Sequence, residues 1–95
     1  MSIFLNELLQ SADLNPIVGG DDIEITALAH DSRSATTGTL FFALAGTRKD
    51  GAKFIKSAIR NGAAAIITST PTKAKIPVIF TENPRRAMAL IAMAF

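Results

Sequence analysis

Apolar residues along this chain follow two spacings, one typical of helices and one typical of strands. Near the amino terminus, four of them recur with the period of a helix, after a serine suited to cap it. These residues are Phe4, Leu5, Leu8 and Leu9, preceded by Ser2. Residues 23–27 instead alternate between apolar and polar side chains, which predicts a half-buried strand. The chain therefore opens with a helix and continues into a strand.

Three further apolar segments are short and continuous, as expected for strands buried within a sheet. They cover residues 40–45, 64–68 and 78–80. Between the first two, a helical pattern begins at Asp50-Gly51 and ends at Asn61-Gly62, where glycine suits the left-handed position after a helix. Strand, helix and strand in this order predict a βαβ unit.

A last helix is predicted from Asn83 and Pro84, because asparagine is a good N-cap and proline is favoured at the first helical position. Its apolar face comprises Ala87, Met88, Ile91, Ala94 and Phe95. No stop signal follows, so we expect Phe95 to be exposed and this segment to belong to a longer protein. Together the patterns predict one small α/β domain, residues 1–95, with a mixed β-sheet, flanking helices and one βαβ unit.

Composition narrows the possible functions. The 95 residues are 48% hydrophobic, which is enough for one core. They contain no cysteine, which excludes disulfide scaffolds and thiolate sites. No signal peptide or membrane span is evident, so we expect a cytoplasmic protein with no membrane partner. A net charge of +2 does not predict nucleic-acid binding. Six Phe without Trp or Tyr argue against a surface for stacking bases.

The polar triplet Asp31-Ser32-Arg33 is the first candidate for chemistry, because it leaves the first strand and precedes a turn. In one interpretation, Ser32 exchanges hydrogen bonds with a polar ligand at a strand end. In the other, which the triplet alone favours, its own side chains close the turn and Asp31 and Arg33 form an ion pair.

The segment from Gly46 to Gly51, GTRKDG, is the second candidate, because it joins a buried strand to a helix. Free backbone N–H groups at such a junction attract anions, and Arg48 and Lys49 would add charge for a diphosphate. An ordinary loop with two solvated cations is the alternative, and it is the more common case for such a loop in isolation. The segment matches neither the P-loop nor the dinucleotide-binding glycine pattern.

The remaining polar residues indicate no catalytic or metal site. His30 is the only histidine, and no cluster of carboxylates accompanies it, so we interpret it as a neighbour of the ligand or a structural residue. Four cations surround the last strand without interleaved aromatic residues, which indicates a solvated surface and no nucleic-acid partner. These are Lys73, Lys75, Arg85 and Arg86.

Taken in order, these motifs resemble the N-terminal domain of the Mur ligases over nearly the whole chain. The matching pieces are Asp31-Ser32-Arg33, Gly38-Thr39-Leu40-Phe41-Phe42-Ala43, Gly46, Asp50-Gly51, Phe54-Ile55, Ala58 and Gly62-Ala63-Ala64-Ala65. Each piece is weak alone, and the ordered set is specific. Gly38-Thr39 replaces the more usual Gly-Asp before the strand. The branch of the family known as MurE fits best, and the MurF branch is the alternative.

The resemblance implies a domain that holds the uridine diphosphate (UDP) end of a UDP-N-acetylmuramoyl (UDP-MurNAc) peptide. Carried over by position, the residues that bind UDP are His30, Ser32, Thr47, Arg48 and Lys49. The resemblance assigns no catalytic residue and no metal ligand to this chain. A stand-alone nucleotide-sugar-binding module with the same fold is a further alternative.

The resemblance also implies that the chemistry lies in other domains of the parent enzyme. ATP and Mg²⁺ would bind there, and this chain alone would need no cofactor and would be inactive. A MurE-type parent would join diaminopimelate or lysine to UDP-MurNAc-L-Ala-D-Glu in peptidoglycan precursor synthesis. A MurF-type parent would add D-Ala-D-Ala. The residues that choose the amino acid would lie outside this chain, whose partners would be the substrate and the remaining ligase domains.

Overall fold

The computed structural model describes residues 2–17, 22–44, 51–70 and 72–95. Their strands are β1 (Ile3–Phe4), β2 (Glu24–Ile25), β3 (Ala27–Ala29), β4 (Thr39–Ala43), β5 (Ala65–Thr68) and β6 (Val78–Phe80). Their α-helices are α1 (Leu5–Ser11), α2 (Gly51–Arg60) and α3 (Pro84–Ala94). A short 3₁₀ turn covers Ser32–Ser34. The expected α/β class is thus confirmed.

The main sheet is parallel throughout, with strand order β3-β4-β5-β6. In its registers Leu28 pairs with Leu40, and Phe41 pairs with Ile66. Strands β4 and β5 are joined through α2, so the predicted βαβ unit is present. The antiparallel pairing expected of a mixed sheet occurs in a separate two-stranded sheet, in which β1 pairs with β2.

The two faces of the main sheet bury two separate apolar clusters. We call the first the α1/α3 face, on which α1 and α3 cover the sheet. Its fully buried members include Leu8, Phe42 and Ile91. We call the second the α2 face, where Ile55 and Ala58 of the helix pack with sheet residues and with the segment after the 3₁₀ turn. The other buried members of this cluster are Phe41 and Ile66 of the sheet, Ala35 after the 3₁₀ turn, and Ala63 between α2 and β5.

The amino-terminal prediction needs two corrections. Ser2 does not cap α1, because its hydroxyl donates to the Glu24 carboxylate and Phe4 occupies the N-cap position. Phe4 belongs to β1 and is 52% exposed, so it does not share the buried helix face of Leu5. Helical spacing alone could not separate Phe4 from that face, since its pairing with Glu24 of β2 is a tertiary contact.

The strand predicted over residues 23–27 is divided between the two sheets. It breaks at Thr26, whose backbone N–H donates to the Gly38 carbonyl at 2.9 Å. Gly38 has a φ of 87°, and a Cβ there would lie 2.4 Å from the Thr26 Oγ1. Glycine is therefore required where the chain turns into β4, because a side chain would meet Thr26 and strain the backbone.

The carboxyl-terminal predictions for element boundaries are confirmed. Gly62, with a φ of 110°, follows α2 in the left-handed region, as predicted. The Asn83 side chain accepts a hydrogen bond from the Arg86 N–H at 3.0 Å, and Pro84 begins α3. Phe95 was expected to be exposed, but it is half-buried and packs against the cluster of the α1/α3 face.

Candidate functional site

A cavity of about 470 Å³ opens where the chain leaves the carboxyl ends of β3 and β4, beside α2. One wall consists of the polar segment after β3: His30, Asp31, Ser32 and Arg33. The other wall is apolar and consists of Phe41, Ala43, Leu44 and Phe54. Clefts at the carboxyl ends of parallel strands are the usual ligand sites of open α/β sheets. The cavity therefore unites the predicted polar triplet with the end of the predicted buried strand.

Asp31 and Arg33 close their own turn, as the structural interpretation of the triplet predicted. The Asp31 carboxylate accepts hydrogen bonds from the Arg33 backbone N–H at 2.9 Å and from Nε at 3.1 Å. The Arg33 guanidinium donates a further bond to Asp31 Oδ2 at 2.8 Å, which makes the pair bidentate. The fork shape of the guanidinium matches the two carboxylate oxygens, so the pair orders the rim of the cavity.

This pairing changes the acidity of both groups. Side-chain hydrogen bonds from Arg33, followed by its backbone N–H, lower the pKa of Asp31 from 3.8 to about 2. The same bonds raise the pKa of Arg33 above its usual range. Asp31 is therefore ionised throughout the physiological range. Its negative charge is compensated by Arg33, which weakens the repulsion it would exert on an anionic ligand in the cavity.

Ser32 is buried and lies between this ion pair and the end of α2. Its carbonyl oxygen accepts a hydrogen bond from Asn61 Nδ2 at 2.9 Å, so the residue after α2 holds the 3₁₀ turn in place. Among the hydrogen bonds between described residues, none involves the Ser32 hydroxyl, and Ser32 lines the cavity. The structural interpretation of the triplet is therefore confirmed for Asp31 and Arg33, whereas the contact of Ser32 with a ligand stays a prediction.

The structure thus brings His30 and Ser32 to one cavity. His30 directly follows β3 and is exposed on the polar wall. The other three predicted binding residues, Thr47, Arg48 and Lys49, lie outside the described residues. The chain enters that segment from Leu44 in the apolar wall and leaves it at the start of α2.

Sequence reasoning missed the apolar wall of the cavity. Phe41 and Phe54 were interpreted as members of a buried strand and of a helix stripe. Phe41 is 1% exposed, as expected, but Phe54 is 45% exposed. One exposed phenylalanine side chain therefore lines the cavity. The available signal was the position of Phe54 in the first turns of a helix that follows the candidate loop.

Other parts of the described residues show fewer of the usual features of ligand, metal and membrane sites. A second cavity, of about 450 Å³, lies beside β6 and is lined by Thr70, Thr72, Lys73, Val78 and Phe80. Among the residues described, no three His, Cys, Asp or Glu side chains converge in a way that could hold a metal ion. None of the described helices has the length and apolar character needed to cross a membrane.

Comparison with known proteins bears directly on the resemblance. Residues 24–95 match the family model described as "Mur ligase family, catalytic domain". The chain belongs to the Mur ligase family. The match begins at β2 and includes the whole main sheet, both walls of the cavity and α2 and α3.

Relatives within the Mur ligase family agree with the expected order of resemblance, with MurE first and MurF next. The chain is 47% identical over 85 residues to the UDP-N-acetylmuramoyl-L-alanyl-D-glutamate--2,6-diaminopimelate ligase of Bradyrhizobium diazoefficiens, covering 88% of this chain and 17% of that protein. The ligase of the same name from Listeria monocytogenes is 41% identical over 91 residues, which are 96% of this chain and 18% of that protein. Among solved structures, MurF from Acinetobacter baumannii matches with a TM-score of 0.72 and 27% identity. The match covers 96% of this chain and 20% of the MurF chain.

The shares of the relatives' own length are small. The chain spans about one sixth of the diaminopimelate ligases it matches and one fifth of the MurF structure. These Mur ligases are therefore several times longer than the 95 residues considered, and most of their length has no counterpart in this chain.

Proposed function

We propose that this chain is the N-terminal, UDP-binding domain of a MurE-type Mur ligase, the diaminopimelate- or lysine-adding enzyme of peptidoglycan precursor synthesis. The observation that carries the proposal is the cavity at the carboxyl ends of β3 and β4, which joins His30 and Ser32 on one wall. Those are the two described positions that the resemblance to the family assigns to UDP. Membership of the family and the names of the similar ligases support the same conclusion.

The chemistry of UDP fits the two kinds of wall. A nucleoside diphosphate has a flat base with apolar faces, a ribose with hydroxyl groups, and a charged diphosphate. The hydroxyl of Ser32, which lines the cavity, can exchange hydrogen bonds with a polar group of such a ligand, and the apolar wall suits the base. Thr47, Arg48 and Lys49 are proposed to contact the diphosphate, because cations and free N–H groups before a helix favour phosphate oxygens.

This domain would contribute positioning to the parent reaction. Binding the nucleotide end of UDP-MurNAc-L-Ala-D-Glu fixes the peptide carboxylate at the far end of the substrate, and binding energy from remote groups is a recognised source of rate. We assign ATP, Mg²⁺ and the amino-acid site to other domains of the parent, in the cytoplasm. The 95 residues alone are then expected to have no ligase activity.

The same domain of a MurF-type ligase is the second candidate, because the similar solved structure is a MurF. An activity assay of the parent enzyme separates the two. A MurE-type parent releases ADP with UDP-MurNAc-L-Ala-D-Glu and diaminopimelate or lysine. A MurF-type parent does so with the corresponding tripeptide and D-Ala-D-Ala. Turnover of neither pair, with UDP binding retained, would favour a stand-alone nucleotide-sugar-binding module.

The binding site itself can be tested by NMR titration of the 95-residue chain with UDP and with UDP-MurNAc. We expect chemical-shift changes concentrated at residues 30–33 and 46–51. ATP with Mg²⁺ serves as the control ligand and is expected to cause no specific change. Shifts confined to other surfaces, or none at millimolar UDP, would contradict the site.

Substitution of Ser32 by alanine tests the role of the hydroxyl. We expect UDP binding to weaken by about 1 kcal/mol, the typical worth of one hydrogen bond, while the domain stays folded. Ser34→Ala, an exposed neighbour in the same turn, is the matched control. Equal affinities for the wild type and the Ser32 variant, measured by the same titration, would remove the hydroxyl from the site.

A further inference from the structure

Phe54 is an exposed aromatic residue that the packing of α2 does not require. Its neighbours Ile55 and Ala58 are buried and make the contact of α2 with the sheet. The Phe54 side chain is 45% exposed and lines the cavity described above. An aromatic side chain is stabilised when its apolar surface is removed from water. A ligand with an apolar face could cover the exposed part of Phe54 in the cavity and provide this stabilisation.

The cavity offers an apolar wall for the faces of such a ligand and a polar wall for its edge. Phe54 and Leu44 lie on the apolar wall, and the nearly fully buried Phe41 is also part of it. The polar wall carries Ser32 and the paired charges of Asp31 and Arg33. A ligand that is flat and apolar on its faces but polar at its edge can satisfy both walls at once.

We propose that Phe54 packs against the face of the uracil base and is a ligand-binding residue of the site. This inference rests on the proposed function and extends it from the diphosphate contacts to the base. Base–aromatic stacking is favourable because both ring systems have π-faces, and it needs no charge on the protein. The sugar and phosphates have no such face, so they would extend away from Phe54 toward polar groups.

The composition of the chain allows a direct optical test, because it contains no tryptophan and no tyrosine. Phe54→Trp would introduce the only indole, at the proposed contact with the base. We expect a saturable change of its fluorescence with UDP and with uridine, and no such change with inorganic pyrophosphate. Phe80→Trp is the matched control, because Phe80 is 56% exposed and lines the second cavity. Its fluorescence is expected to stay constant with all three ligands.

Affinity measurements on alanine variants complete the test. We expect Phe54→Ala to weaken the binding of UDP and of uridine about tenfold, the order of effect seen when a stacking residue is truncated. Pyrophosphate binding should be unchanged, and Phe80→Ala should bind all three ligands like the wild type. NMR spectra of each variant verify that it is folded.

The outcomes separate this inference from the proposed function. If the wild type binds UDP and Phe54→Ala binds it equally well, the inference fails while the UDP site stands. If Phe54→Ala loses pyrophosphate and uridine binding to the same extent, Phe54 shapes the whole cavity and the assignment to the base is wrong. If the wild type does not bind UDP at millimolar concentration, the proposed function itself fails.

Discussion

The two faces of the main sheet both carry phenylalanine and aliphatic side chains, but they differ in how completely these are buried. On the α1/α3 face, two helices cover the sheet, and Phe42 is 0% exposed among leucine and isoleucine side chains. On the α2 face, a single helix and the 3₁₀ turn leave a cavity, and Phe54 is 45% exposed beside it. One face of the sheet is thus fully covered, whereas the other buries a smaller cluster and leaves a cavity, which we propose as the ligand site.

The largest expected effect comes from making the same substitution on each face. Phe42→Ala should lower the free energy of unfolding by about 3–5 kcal/mol, because it removes a fully buried ring and leaves a cavity. Phe54→Ala should cost less than about 1 kcal/mol, since much of its ring is already in water. Urea unfolding of both variants measures the difference. Similar losses would mean that the two faces are equally important for stability. Phe42→Leu is the milder variant if Phe42→Ala does not fold.

Gly62 lies on the α2 face, between the end of α2 and the start of β5. A Cβ at this position would lie 2.8 Å from the Thr37 backbone nitrogen, and the φ of 110° is unfavourable for other residues. We expect Gly62→Ala to lower the free energy of unfolding by about 2–3 kcal/mol, measured by urea unfolding. The exposed Lys56→Ala on the same helix is the control, expected to change stability by less than about 0.5 kcal/mol. A Gly62 variant as stable as that control would contradict the steric argument.

Asn61 connects the stability of the α2 face to its cavity, because its amide holds the Ser32 carbonyl. Asn61→Ala should cost about 1 kcal/mol of unfolding free energy for the lost hydrogen bond. We also expect a few-fold loss of UDP affinity, since the turn carrying Ser32 is no longer tied to α2. Titration with UDP measures this loss, with Lys56→Ala again as control. Lower stability with unchanged affinity would show that Asn61 does not position the turn for binding.

The smallest expected effect concerns the ion pair at the rim. Because the folded pKa of Asp31 is lowered to about 2, its contribution to stability is complete above the usual value of 3.8 and is lost as the pH falls from there toward 2. Arg33→Ala should return the Asp31 pKa toward 3.8, which a side-chain NMR titration detects. Since the pair is solvent-exposed, we expect little change in stability at neutral pH. An Asp31 pKa that stays near 2 in the variant would assign the shift to another group.

Much of the site could be anticipated because its signals are local. The ion pair of Asp31 and Arg33 joins residues two apart, and the ends of α2 and α3 are marked by Gly62 and by Asn83 with Pro84. The order of the motifs along the chain is specific enough to indicate the family, and the family model matches residues 24–95. These features depend only on the types of residues and their spacing along the chain.

Other features depend on contacts between distant segments. The pattern of residues 23–27 is one alternating run, and only the hydrogen bonds of Thr26 with the turn at Gly38 divide it between two sheets. Helical spacing placed Phe4 on a buried face, yet pairing with β2 draws it into a strand. Hydrophobic periodicity reports that a residue can be buried, but not which partner will cover it.

By itself, then, the sequence determined the α/β class, the βαβ unit, the helix boundaries after residue 50 and membership of the Mur ligase family, because these depend on local patterns and on motif order. Only the tertiary structure decided that the main sheet is wholly parallel, that Asn61 holds the turn of Ser32, and that Phe54 faces a cavity. The physical reason is that a cavity is the space left between elements after packing, and no single segment of the chain specifies it.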